Sequence, residues 1–320
     1  MFPPYQLLEH DYIEKAQEKF GRLERLYHNG QAQVWDGKKV LAELLAKHGG
    51  IKIPDEKREA ILELFSTILW GELAAWSISA DLATMLEDTE AKMAATSQAF
   101  DEARHFYVMR DYLFAVGGRL PKLDGYTSVI LNELLDTDRL VDKLLGMQLV
   151  VESVALTLFR SVAEANVEPV LAELMPYYER DESRHVALGV IYLPALLRQM
   201  GPIDTARLRL LQLKLVTFIG WGTHIKRPYF DTLGIDNNIA MHRGMKLQRD
   251  AFERLAEAAG GDAPGSVLVG GPFMEMINRR AIDLFFPKFG TALPRWQEQM
   301  LDMCYGIARV GETVLRRVAS

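Results

Sequence analysis

Two pentapeptides, eighty residues apart, hold the chemistry of this chain. Asp101-Glu102-Ala103-Arg104-His105 recurs as Asp181-Glu182-Ser183-Arg184-His185, with acid, base and imidazole kept in place. A further acid obeys the same offset: Glu72 precedes Glu102 by thirty residues, and Glu152 precedes Glu182 by thirty. In each pentapeptide Glu and His stand three apart, so on a helix both leave one face. Their neighbours are apolar: Ile68, Leu69, Ala75 and Trp76 around Glu72, and Leu149, Leu156 and Phe159 around Glu152. Four carboxylates in such surroundings are costly to bury unpaired. Two divalent cations remove that cost. Glu72, Glu102, His105, Glu152, Glu182 and His185 therefore read as six ligands, three from each half, for a dinuclear site. Mixed oxygen and nitrogen donors suit iron, manganese or a mixed Fe/Mn pair. The competing reading is a salt-bridged helical core without metal.

The spacing also dictates the elements that must carry these residues. Two residues level with each other on antiparallel helices lie equally far from the turn between them. The midpoint of 72 and 102 falls at Glu87-Asp88-Thr89, a helix-start signal; that of 152 and 182 falls at Asn166-Val167-Glu168-Pro169, a turn signal. Each half is thus a helical hairpin, with the site roughly 20 Å from its tip at 1.5 Å per residue. Helical periodicity runs through the rest. It predicts helices near 6–27, 38–47, 56–86, 89–116, 128–164, 168–199, 203–225, 237–259, 273–286 and 294–318, with a long loop at 260–272. The expectation is one all-α domain over 1–320. Its four-helix core spans 57–199, with N-terminal helices in 1–56 and auxiliary C-terminal helices in 200–320.

Bulk composition bounds the partners. With 49% hydrophobic and 25% charged residues in 320, the chain has material for a large core. A net charge of −6 does not suggest a nucleic-acid surface. The single cysteine, Cys304, reads as a core residue and permits no internal disulfide, which points to a reducing, cytoplasmic setting. The N-terminus lacks the basic and apolar regions of a signal peptide, and no uncharged run has the length of a membrane span.

On these motifs the chain resembles the ferritin-like di-iron carboxylate superfamily, and within it the oxygen-activating branch of monooxygenase hydroxylases and ribonucleotide reductase small subunits. The resemblance covers about residues 57–199. It implies a four-helix bundle, two metal ions, O2 as co-substrate and an electron donor such as a ferredoxin or flavin reductase. It also implies a homodimer as one arrangement, with Glu102 and Glu182 as bridging ligands. Departures narrow the choice. Met109 stands where reductase small subunits place a radical tyrosine, Leu156 where hydroxylases place a threonine, Ala155 where desaturases do, and Tyr178 where N-oxygenases place an extra histidine.

Around the ligands, Asp101 and Asp181 are expected to hold the outer nitrogens of the histidines, with Arg104 and Arg184 as counter-charges. The sequence leaves open whether each Asp serves its own hairpin or the other. Trp76, Phe106 and Leu156 are expected to line a substrate pocket, together with Leu69, Ala75 and Phe159; Gln98 and Gln148, one turn before Glu102 and Glu152, are expected to face either that pocket or the metals. Tyr178 is the candidate hydrogen-bond donor to bound oxygen or redox relay, and Pro176 is expected to kink its helix toward the site. His224 reads as a surface or capping residue, and Lys226-Arg227 as charge placement at a helix C-terminus. The function expected is an O2-dependent oxygenase or oxidase acting on a small, partly apolar molecule. A ferroxidase or a radical-carrying subunit is the alternative.

Overall fold

The computed structural model describes residues 10–259 and 272–318. Every regular element among them is helical: α1 His10–Ala32, α2 Gly37–His48, α3 Asp55–Met85, α4 Thr89–Val116, α5 Gly125–Asp136, α6 Leu140–Lys143, a π-helical segment Leu144–Val151, α7 Glu152–Ala165, α8 Pro169–Gln199, α9 Pro202–Ile225, α10 Arg227–Leu233, α11 Asn237–Ala259, α12 Pro272–Phe285 and α13 Arg295–Val318. The loop expected at 260–272 falls outside the described residues, except that Pro272 opens α12.

The two hairpins turn where the spacing places them. α3 and α4 are joined by Leu86, Glu87 and Asp88; Asp88 takes the N-cap position without a cap hydrogen bond from its side chain. α7 ends at Asn166 in the left-handed conformation, φ 45°. Glu168 then caps α8: its carboxylate accepts from the Leu171 N–H at 2.9 Å and the Tyr112 hydroxyl at 3.1 Å. α8 runs from Pro169 through Pro176 and Pro194 without a break.

α4 packs on α8, α1 lies across both, and α5, α9 and α10 cover the α3 and π-segment side. Two apolar clusters form. One gathers Ile78, Leu82, Leu145, Leu149, Leu188 and Leu193; the other gathers Phe65, Val108, Tyr112, Phe159, Val162 and Leu171. The first contains the residues near the α3–α4 turn and the second those near the α7–α8 turn, so the hairpins point in opposite directions.

The single helix expected over 128–164 is in fact two. α5 stops at Asp136, Thr137 is extended, and a continuous helix runs over Leu140–Ala165. Lys143, 2% exposed, terminates α5 by donating to the carbonyls of Leu134 and Leu135, each at 3.0 Å, and pairs with Asp81 at 2.9 Å. No Gly or Pro marks this break. α3 and the Leu140–Ala165 stretch are long and apolar enough to cross a membrane by composition alone, against the expectation of no such segment. Both belong to the bundle, and 56% and 72% of their apolar windows are buried in it.

Candidate metal centre

α3 supplies Glu72, α4 Glu102 and His105, the first residue of α7 Glu152, and α8 Glu182 and His185. All six are buried. His105 Nδ1 lies 3.0 Å from Glu182 and 3.4 Å from both Glu72 and Glu102. His185 Nδ1 lies 2.6 Å from Glu182, 2.9 Å from Glu102 and 3.9 Å from Glu152. The donors form two overlapping groups, Glu72–Glu102–His105–Glu182 and Glu102–Glu152–Glu182–His185, each with its atoms within 4.8 Å of one another. Glu102 and Glu182 belong to both groups.

Electrostatics separate the four carboxylates into two kinds. Burial pushes Glu72 and Glu152 well above the usual carboxylate range. Burial and mutual repulsion act the same way on Glu102, yet His185 and His105 hold it below its ordinary value; against burial, the same two imidazoles hold Glu182 far below. Burial would lower both histidines, but the carboxylates around them raise both well above theirs. Glu102 Oε2 and His105 Nδ1 are buried without a hydrogen-bond partner. Buried polar atoms left in this way call for a further group, and two divalent cations satisfy both this oxygen and this nitrogen.

The layer around the ligands is crossed between hairpins. Asp181 of α8 lies 3.2 Å from His105 Nε2 of α4, and Asp101 of α4 lies 3.5 Å from His185 Nε2 of α8. The opposed direction of the hairpins produces this exchange. Arg104 donates to Asp181 at 2.8 Å and also to Asp101; Arg184 donates to each aspartate at 2.8 Å. Trp35, between α1 and α2, closes the group: its Nε1–H donates to Asp181 Oδ2 at 2.7 Å and its ring lies under the Arg104 guanidinium. Burial opposes ionisation of Asp181, but His105, Trp35 and Arg184 hold it far below the carboxylate range.

Several expected roles are corrected by the geometry. Gln98 donates to Glu102 at 3.2 Å and to Glu152 at 3.4 Å, and Gln148 donates to Gln98 at 2.6 Å. Gln98 thus orients ligand carboxylates and Gln148 orients Gln98, and neither borders the large apolar cavity. The Tyr178 hydroxyl donates to the backbone carbonyl of His105 at 2.7 Å, and its ring stacks on that imidazole at 4.3 Å. Its proton is thus committed to holding a ligand in place. Trp76 is 41% exposed and packs on Phe106 at the outer α3–α4 surface. Leu156 is core.

The cavity lies instead along the side of α3 that carries Leu64, Ile68 and Ala75. It has about 150 Å³ and is walled by α3, α5, the π-helical segment, α7, α9 and α10. Ile68, Ala75, Leu131, Met147, Leu158 and Phe218 are among its lining residues, and of the six ligands only Glu72 and Glu152 border it. Ala75 is where the sequence reading put it. The others on α5, α9 and α10 gave no signal, because nothing in sequence brings those helices to α3. His224 is buried, not superficial; the rings of Trp221, Phe286 and Tyr305 surround it, and burial lowers its basicity. Lys226 is buried too, donating to the Thr67 hydroxyl at 2.6 Å and pairing with Asp124. Cys304 is buried, as expected.

A helical bundle with donors for two metal ions at its centre defines the class: a ferritin-like fold with a carboxylate–histidine site. No family model and no curated protein matches the chain. Solved structures do. A variant of an R2-like ligand-binding oxidase with an aerobically reconstituted Mn/Fe cofactor aligns with TM-score 0.55 and 17% identity, over 72% of this chain and 93% of that one. Another variant, with an Fe/Fe cofactor, aligns with TM-score 0.57 and 17% identity, over 72% and 92%. The protein described after photoconversion aligns with TM-score 0.54 and 17% identity over the same shares. This chain has the fold of those oxidases.

Proposed function

We propose that this chain is a dinuclear non-haem metal oxidoreductase, an O2-dependent oxygenase or oxidase acting on a small, largely apolar molecule. One observation carries the reading: two donor groups share Glu102 and Glu182, and only their outer carboxylates, Glu72 and Glu152, face an apolar cavity. His105 and His185 would each hold one ion, with Glu102 and Glu182 between the two. The structural relatives carry Mn/Fe or Fe/Fe pairs, and the donor set here suits either. When bound, such a pair supplies electrons to O2, and a ferredoxin or flavin reductase would restore them.

The chain's own residues do the rest. Asp181 hydrogen-bonds His105 Nε2 and Asp101 stands 3.5 Å from His185 Nε2, so Nδ1 of each imidazole faces the centre and Nε2 faces outward. Gln98 and the Tyr178 hydroxyl hold Glu102, Glu152 and the His105 backbone in place. The apolar walls exclude water from the side where a substrate would sit. The metal-binding reading is tested by anaerobic loading with ferrous iron, alone and with manganese, followed by elemental analysis and O2 uptake. About two ions per chain and O2 consumption that depends on them are expected. A folded chain that takes up no metal would overturn the reading, as would many irons stored per chain with no O2-coupled oxidation of an organic molecule.

A further inference from the structure

The cavity is not apolar throughout. Its bordering polar side chains are Thr67, Thr127, Thr223, Lys226 and the two ligands Glu72 and Glu152. Lys226 has three N–H donors. One meets the Thr67 hydroxyl at 2.6 Å and one meets Asp124; the third has no acceptor among the described residues. Both oxygens of Asp124 are engaged, since it also accepts from the Thr127 N–H and hydroxyl, each at 2.8 Å. The polar end of the cavity therefore offers a donor and no free carboxylate oxygen.

Position and volume add two constraints. Thr67 and Glu72 both border the cavity from α3, five residues or about 7.5 Å apart along the axis. The Lys226 donor thus sits more than a helical turn from the metal ligands, at the other end of the same space. A volume of about 150 Å³ is the size of an apolar cavity that accepts a single benzene ring.

We propose that the cavity binds a single-ring or short-chain apolar molecule bearing one oxygen acceptor, with that oxygen on the Lys226 ammonium, which Thr67 and Asp124 hold in place, and the carbon skeleton directed at Glu72 and Glu152. This deepens the function proposed above and rests on its placing the substrate in this cavity. A ligand ammonium does not suit that end of the cavity, where it would meet the Lys226 ammonium and no free carboxylate oxygen. Carboxylate, carbonyl and hydroxyl share the required chemistry.

The test is binding, not turnover, so it is independent of redox activity. The full chain, metal-free and zinc-loaded, is titrated calorimetrically with benzoate, benzyl alcohol, toluene and benzylamine. At least one of the two oxygen-bearing rings should bind about tenfold or more tighter than toluene, and benzylamine should not bind better than toluene. If both do, the acceptor is generic; if benzoate alone does, it is a carboxylate. Thr67→Val should narrow the margin over toluene. The double change Lys226→Met with Asp124→Asn should abolish it, removing both charges together so that neither is stranded. Gly71→Leu fills the space, since a Cβ there meets nothing within 4 Å, and should abolish binding of every probe. Equal affinity for toluene and the oxygenated rings, or a margin untouched by the double change, would overturn the proposal. So would no binding of any probe by a chain that takes up metal and consumes O2, and in that case the oxidase reading would survive. Selective binding by a chain that takes up no iron would do the reverse.

Discussion

Glu102 and Glu182 each lie within 3.4 Å of both histidines, whereas Glu72 and Glu152 each meet one. Loss of a shared carboxylate therefore damages two sites and loss of an outer one damages a single site. Glu102→Ala should bring metal content from about two ions per chain to below about one, while Glu72→Ala should retain about one, held by the His185 group. Elemental analysis after gel filtration, with circular dichroism to confirm the fold, decides it. Equal losses would mean that the carboxylates are not divided as the geometry divides them. Asp181 gives a second prediction. It accepts from Trp35, Arg104, Arg184 and His105, so Asp181→Asn should weaken metal binding about 10- to 100-fold. Trp35→Phe removes one donor only and should cost about 1–3 kcal/mol of stability, with a smaller loss of metal affinity. The six ligands were legible because a repeat wrote them twice at one offset. Trp35 was not, because its partner is 146 residues away and nothing local marks an indole that will donate to a buried carboxylate.

At the scale of the element, the hairpin turns could be read from arithmetic alone, since level residues on antiparallel helices bracket their turn. The π-helical segment Leu144–Val151 could not. It sets the register of Gln148 and delivers Glu152 at its end, a place where such segments often serve a site. What permits it is packing. A Cβ on Gly146 would come within 2.2 Å of Leu134, and one on Gly189 within 2.7 Å of Gln148 Cβ. Glycine at both positions lets α5 and α8 close on the segment. Gly146→Ala should thus destabilise the chain by about 1–3 kcal/mol through overpacking. Adding Leu134→Ala should recover part of that loss, a positive coupling in a denaturant double-mutant cycle. Additive losses would show that the segment does not depend on this contact. Gly189→Ala pushes on Gln148, which holds Gln98, which holds Glu102 and Glu152; it should lower metal affinity as well as stability. The break at Thr137 escaped the sequence for a related reason: Lys143 makes it by capping α5 from the next helix, and a lysine inside an apolar run reads simply as helix.

In the whole molecule, a belt of buried charge separates two apolar clusters, and the chain must hold that belt together with protons whenever metal is absent. The four-helix core was legible because it carries the repeat. The cavity roof was not, since α9 and α10 reach α3 through tertiary packing that no periodicity encodes. The protons give the last prediction. Glu72, Glu152, His105 and His185 have folded-state values raised above the ordinary 4.5 and 6.5. For these the folded chain binds more protons than the unfolded one, so their contribution is complete below those ordinary values and is lost as pH rises through the folded ones. Glu102, Glu182, Asp101 and Asp181 are lowered; their contribution is present above the ordinary carboxylate values and lost as pH falls through the folded ones. The metal-free chain should therefore be most stable in mildly acidic solution and weaken as pH rises above the ordinary histidine value of 6.5 and through the raised folded-state values. Metal ions take the place of the same protons, so their affinity rises over that range. The melting temperature of the metal-loaded chain should exceed that of the metal-free chain by a margin that widens as pH rises. Thermal scans of both forms at stepped pH measure the margin directly. A constant margin would mean that metal binding releases no protons, and the raised carboxylates and imidazoles would then not be the groups that hold the ions.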